Sequence, residues 1–136
     1  MRIVLDTNVL IAGLLKDSIV RNILLYKDIK FFLPEEAIEE INKHKDELIE
    51  KSGYCLTEFE EILNFLLKKI ILVSKEMIKL QLEKAEYIMK DIDIADSSFI
   101  ATALSINADG IWSFDKHFIK QKVVKIFYIE DIIKMN

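Results

Sequence analysis

The stretch Arg2-Ile3-Val4-Leu5-Asp6 is a short apolar run that stops on a carboxylate. No polar residue alternates through Ile3, Val4 and Leu5, so both faces of this strand need cover. A strand covered on both faces belongs to a parallel sheet with helices above and below it. Similar runs return along the chain. Lys30 to Leu33 closes on Pro34, Ile70 to Val73 closes on Ser74, and Ile111-Trp112-Ser113 leads through Phe114 to Asp115. Val123 to Tyr128 reads as a last strand.

Helical spacing fills the intervals between these runs. Asn8 to Leu15 and Ser18 to Tyr26 read as helices, the second with Ser18 as N-cap. Pro34 suits the first turn of a helix from Glu35 to about Glu50, with Ala37, Ile38, Ile41, Leu48 and Ile49 on one stripe. Ser52-Gly53 breaks it. Leu56, Phe59, Ile62, Leu63 and Leu66 mark an amphipathic helix, and so do Ile78, Leu82, Ala85 and Met89 behind a Ser74 cap. Ile94 to Ile106 predicts one helix whose Ala95, Ala101 and Ala103 permit close packing. Asn107 to Gly110 predicts a turn, and Glu130 to Lys134 a final helical turn. The expected fold is a three-layer α/β/α sandwich around a central parallel sheet of about four or five strands.

Composition narrows the function. At 136 residues, 51% hydrophobic and 31% charged, the chain reads as one domain over residues 1–136 and excludes intrinsic disorder. A single cysteine, Cys55, excludes an intramolecular disulfide and a cysteine-based zinc cluster; it reads as a small buried hydrophobe. A net charge of −4 excludes a strongly basic nucleic-acid coat. Val9 to Leu15 has the look of a signal-peptide core, but Asp6 precedes it, Lys16-Asp17 follows, and no cleavage site comes next. No apolar run approaches the roughly 20 residues of a membrane helix. The reading is a soluble cytoplasmic protein.

Ligands of an open parallel sheet bind beyond the carboxyl ends of its strands. Asp6 and Asp115 fall there, each just after a buried strand. Asp93 and Asp96 begin the helix that follows Ile92. Glu35, Glu36, Glu39 and Glu40 lie in the first turns of the helix after Pro34. Each has a plainer reading. Asp93 is a natural N-cap with Asp96 as its capping-box partner, Asp115 can cap the turn Lys116 to Ile119, and the glutamates can complement a helix dipole. Glu40 stands apart, at the border of the apolar stripe and able to point along the sheet edge.

Carboxylates that converge without countercharge raise one another's pKa, and a hard divalent cation relieves that. Mg²⁺ or Mn²⁺ takes oxygen ligands and shares its sphere with phosphate oxygens. Zinc lacks its motif here. No Gly-rich phosphate loop and no nucleophile elbow occurs. Hydrolysis of a phosphodiester, with the cation lowering the pKa of a bound water, suits the acidic set best.

Four segments then resemble the PIN domain, the metal-dependent nuclease fold of VapC-like toxin ribonucleases. Ile3-Val4-Leu5-Asp6-Thr7-Asn8-Val9-Leu10-Ile11 is similar to its first motif. Leu33-Pro34-Glu35-Glu36-Ala37-Ile38-Glu39-Glu40-Ile41 is similar to the second, Asp93-Ile94-Ala95-Asp96 through Leu104 to the third, and Trp112-Ser113-Phe114-Asp115-Lys116-His117-Phe118 to the fourth. The resemblance implies Asp6, Asp96 and Asp115 as metal ligands, with Glu40 completing the catalytic acids. It implies support from Asn8, whose other reading is a helix N-cap, and from Ser113. It leaves open whether Asp93 or Asp96 is the primary ligand. It further implies an RNA substrate, a homodimer and an inhibitory antitoxin.

Lys116, Lys120, Lys122 and Lys125, with His117, form a basic run after Asp115 that can hold a phosphate backbone or serve as ordinary charged surface. Trp112 and Phe114 can stack a base, although core packing is the first expectation. The function read from the residues and the resemblance is a Mg²⁺-dependent endoribonuclease, the toxin of a type II toxin–antitoxin pair. Two other readings stand beside it. One is a non-catalytic PIN-fold module that binds a partner or RNA. The other is an aspartyl-phosphate phosphohydrolase, which wants an acid where Asn8 stands.

Overall fold

The computed structural model describes residues 1–15 and 18–135. Lys16 and Asp17, which bear on the signal-peptide reading, lie outside the described residues. Five parallel strands form one sheet: β1 (Arg2–Leu5), β2 (Lys30–Pro34), β3 (Ile70–Val73), β4 (Gly110–Trp112) and β5 (Ile126–Phe127). Their order across the sheet is β3-β2-β1-β4-β5. Ile3 pairs with Phe31 and Gly110, and Leu5 with Trp112. The first strand is therefore central, and Ile3, Val4 and Leu5 are completely buried.

The described residues form eight α-helices: α1 (Thr7–Gly13), α2 (Ile19–Tyr26), α3 (Glu35–Lys43), α4 (Lys45–Ser52), α5 (Leu56–Leu67), α6 (Lys75–Met89), α7 (Ser97–Ser105) and α8 (Ile129–Lys134). α7 packs on α6 and crosses β1, β2 and β4, while α1 contacts α2 and α3, and α5 contacts α2 and α4. This is the expected α/β/α sandwich. Ser18 and Ser74 cap their helices as read, accepting from Arg21 N–H and Met77 N–H at 3.2 Å each. The stripes of α5 and α6 serve the core, with Phe59, Leu63, Leu66, Ile78, Ala85 and Met89 all buried.

Four expectations need correction. The helix read from Glu35 to Glu50 is two helices that turn at His44 (φ −108°, ψ 19°). Residues 42–47 carry no apolar side chain, so nothing holds a straight helix to the core there. The turn brings Leu48 back to it. The helix read from Ile94 begins instead as a 3₁₀ turn, Ile94–Asp96, because the Asp93 carboxylate accepts from Ala95 N–H at 3.1 Å. The strand read from Val123 shrinks to Ile126–Phe127. The buried Gln121 amide takes the backbone groups that a strand would have paired: its Oε1 accepts from Val123 and Val124 N–H at 3.0 and 2.8 Å. Its Nε2 donates to Phe118 and Val124 carbonyls at 2.9 and 2.7 Å. Cys55 is exposed, not buried, because it precedes α5 as the N-cap.

One glycine fixes how β4 meets β5. A Cβ on Gly110 would stand 2.5 Å from the Lys125 carbonyl oxygen and 2.6 Å from the Phe127 ring. Only a bare α-carbon lets β4 lie flush against this edge. Among the described residues, no helix is long and apolar enough to cross a membrane.

Candidate active site

Asp6 directly follows β1 and is the N-cap of α1, the place the sequence had offered to Asn8. Its N–H donates to the Trp112 carbonyl and its C=O accepts from Val9 N–H, both at 3.0 Å. These two bonds hold it between a strand and a helix, with its side chain buried. Ser113, directly after β4 and 0% exposed, sits across from it. Its Oγ donates to Asp6 Oδ2 at 2.8 Å and accepts from Asp115 N–H at 2.9 Å. One hydroxyl thus couples two acids that lie more than a hundred residues apart.

Glu40 approaches from α3. Thr7 Oγ1 donates to its Oε2 at 3.1 Å. Thr7 is buried and follows Asp6 directly, so this bond brings Glu40 to the end of β1. In the sequence Thr7 stands between two more conspicuous polar residues, Asp6 and Asn8. Its available signal was a hydroxyl in the first turn of a helix that begins at a sheet's carboxyl edge. Asn8 itself is exposed, and among the described residues no hydrogen bond ties its side chain to Asp6.

Asp96 ends the 3₁₀ turn before α7 and is half-buried. Burial pushes its carboxyl up to about 7, and the charges of Asp93, Asp6 and Asp115 and a hydrogen bond with Asp93 add to the effect. Burial likewise raises the Asp6 pKa. Hydrogen bonds from Ser113 and the Thr7 backbone oppose the rise, while the charges of Asp115 and Glu40 reinforce it. Asp6, Glu40, Asp96 and Asp115, with Asp93, therefore share one field. Asp93 and Asp115 also cap their turns, as the plainer readings expected; Asp115 Oδ1 accepts from His117 N–H at 2.8 Å and lies 3.2 Å from its Nδ1.

The remaining glutamates do not join this centre in the same way. Glu39 pairs with Lys75 at 2.8 Å. Glu35 and Glu36 lie in the first turn of α3. Lys116 and Lys120 are exposed on a 3₁₀ turn, Lys116–Lys120, beside Asp115. Lys122 instead donates to the Ile119 carbonyl at 3.2 Å, and Lys125 lies 4.9 Å over the Phe127 ring. Trp112 is core, fully buried 6.0 Å from the Phe31 ring, whereas Phe114 keeps 43% of its surface exposed.

Among the described residues, Asp6, Glu40 and Asp96 have no Lys, Arg or His within ion-pair distance. Nor do any three His, Cys, Asp or Glu side chains close into a group that could hold a metal by themselves. Mg²⁺ asks for less: it binds through one or two carboxylates and keeps its waters or takes substrate phosphates. An oxygen donor set of Asp6, Asp96 and Asp115, with two of its carboxyls raised by burial and further by one another's charge, fits such a hard cation.

The model of the PIN domain family matches residues 4–126. The chain belongs to the PIN domain family. All four acids of the edge lie inside the matched stretch. PIN domains are generally nucleases, and PIN nucleases typically use divalent metals. Among curated proteins, none matches this chain.

Proposed function

We propose that this PIN domain, acting as one unit over residues 1–136, is a Mg²⁺-dependent endoribonuclease and the toxin of a type II toxin–antitoxin pair. The observation that carries the nuclease is the shared field at the carboxyl edge. Burial raises Asp6 and Asp96, the charges of neighbouring acids add to the rise, and no basic side chain among the described residues offsets them. Such a centre favours a divalent cation and, through it, a phosphate.

In this reading Asp6, Asp96 and Asp115 hold Mg²⁺, with Mn²⁺ as a substitute. A bound cation supplies a water of lowered pKa and a countercharge for phosphate oxygens. Ser113 fixes the direction of the Asp6 carboxylate through its 2.8 Å bond. Thr7 holds Glu40 where it can accept a proton from the attacking water. Asn8 and Asp93 stand in support, and Lys116 and Lys120 meet the RNA backbone beside Asp115. The partners proposed with the toxin are an RNA substrate, an antitoxin protein and a second copy of the chain, in the cytoplasm.

The second reading is a non-catalytic PIN-fold module that binds RNA or a partner. The observation in its favour is that the acids do not close into a group of three. One experiment separates the two. Purified protein is incubated with single-stranded and structured RNA under Mg²⁺, Mn²⁺ or EDTA, alongside Asp6→Asn. Cleavage that requires the cation and disappears in the variant supports the nuclease. Absence of cleavage in every lane, together with RNA binding that Asp6→Asn leaves intact, supports the module.

A further inference from the structure

The basic run after Asp115 flanks the acidic centre on the β4 side. The other flank is also built. A cavity of about 580 Å³ opens beside Glu40 and is lined by Glu36, Glu39, Glu40, Lys43, His44 and Lys75. Sequence reading assigned nothing to Lys43, His44 or Lys75. They meet because α3 stops at Lys43 and the chain turns at His44, while Lys75 opens α6 straight after β3.

The strand order sets these groups in a row. Lys75 follows β3, Glu40 and Lys43 follow β2 on α3, Asp6 follows β1, and Asp115 and Lys116 follow β4. Neighbouring strands lie about 4.8 Å apart, so the row from β3 to β4 spans about 15 Å along one edge. Lys75, ion-paired with Glu39, stands at one end, Lys116 at the other, and carboxylates in the middle.

The lining sets three carboxylates, Glu36, Glu39 and Glu40, against Lys43, Lys75 and His44. Glu39 is neutralised by Lys75 at 2.8 Å. Glu40 is turned to Thr7 and so to the acidic centre. Lys43 is exposed and, among the described residues, has no ion-pair partner. His44 is exposed, with its Nδ1 3.7 Å from Glu47. These two are the groups left to meet an anion. The volume is comparable with that of a small-molecule site and gives room for a short piece of a strand.

We propose that this cavity holds the single-stranded RNA on one side of the scissile bond, with Lys43 and His44 on its phosphates. The strand then crosses the carboxyl edge at right angles to the β-strands, from Lys75 towards Lys116. The inference rests on the nuclease reading, and it adds a second flank that the residues after Asp115 do not supply.

The test uses a fluorescein-labelled single-stranded RNA and the full chain. Affinity is read by anisotropy in EDTA over a salt series, and KM and kcat are read in Mg²⁺. Lys43→Glu, His44→Ala and the charge-keeping Lys43→Arg are compared with wild type, each checked for an unchanged melting temperature. Lys43→Glu is expected to weaken binding about tenfold and raise KM in step. The double variant is expected to make the salt dependence shallower by about one phosphate contact or more. Lys43→Arg keeps the affinity. Wild-type affinity and salt slope in Lys43→Glu and His44→Ala would overturn the inference while leaving the nuclease standing. A wild-type protein that binds RNA through Lys43 but never cleaves it would remove the nuclease and keep the contact. A wild-type protein that does neither would remove both.

Discussion

The Ser113 hydroxyl donates to Asp6 Oδ2 at 2.8 Å, and this bond joins the ends of two neighbouring strands, β1 and β4. The same oxygen accepts from Asp115 N–H at 2.9 Å. The Asp6 carboxylate and the Asp115 backbone are thus held by one buried hydroxyl. Ser113→Ala leaves a buried carboxylate short of a donor and frees the Asp115 backbone. The expected cost is about 1–3 kcal/mol in urea unfolding. The expected effect on RNA cleavage is a lower kcat with KM little changed.

Thr7→Val keeps the shape of the side chain and removes its bond to Glu40. Glu40 is exposed, so stability should fall by only about 0.5–1.5 kcal/mol. Cleavage should fall further than stability does, through kcat. Thermal unfolding and steady-state kinetics on one preparation check this. Equal losses in Thr7→Val and in an exposed-surface control such as Asn64→Ala would deny the bond a role.

Asp96 makes the fold sensitive to pH in an unusual direction. Burial and neighbouring acids push its carboxyl up to about 7 in the folded protein, from an ordinary value of 3.8. Between those values the folded state holds a proton that the unfolded state has released. Its contribution to stability is therefore full below about 3.8 and is lost as pH rises to about 7. Asp6 is raised too and acts in the same sense. In EDTA, Asp96→Asn should flatten the fall in melting temperature from pH 5 to pH 8 and raise the value at pH 8. Mg²⁺ should do the same to the wild type. Parallel melting curves for variant and wild type across that range would contradict the assignment.

Gly110→Ala tests the seat of β4. The added methyl meets a carbonyl oxygen at 2.5 Å and an aromatic ring at 2.6 Å, so β5 must move. A loss of about 1–3 kcal/mol, at the upper end of that range, is expected in urea unfolding. Because β4 carries Trp112 and leads to Ser113, cleavage should fall with it.

The core of this fold was legible because its inner strands are plain apolar runs. Ile3-Val4-Leu5 and Ile111-Trp112 announce a doubly covered sheet, and the acids that follow them fall at its carboxyl edge. Glu40 was legible from its place beside Ala37 and Ile41. The length of β5 was not, because the Gln121 side chain does the work of a strand partner and no backbone pattern announces that. The turn at His44 lacks a glycine or proline, and its only signal is the run of polar residues from Asn42 to Glu47. Thr7 hid between two more conspicuous neighbours. Lys43, His44 and Lys75 meet only through the strand order, which brings the ends of α3 and β3 together.

The central claim is that the acids of the carboxyl edge take up a divalent cation. Mn²⁺ titration followed by electron paramagnetic resonance tests this without any substrate. The account predicts saturable Mn²⁺ binding by the wild type, competed by Mg²⁺, and markedly weakened in Asp6→Asn and in Asp96→Asn with both variants folded. A folded wild type that leaves the free Mn²⁺ signal unchanged, or binding that both variants retain in full, would contradict it.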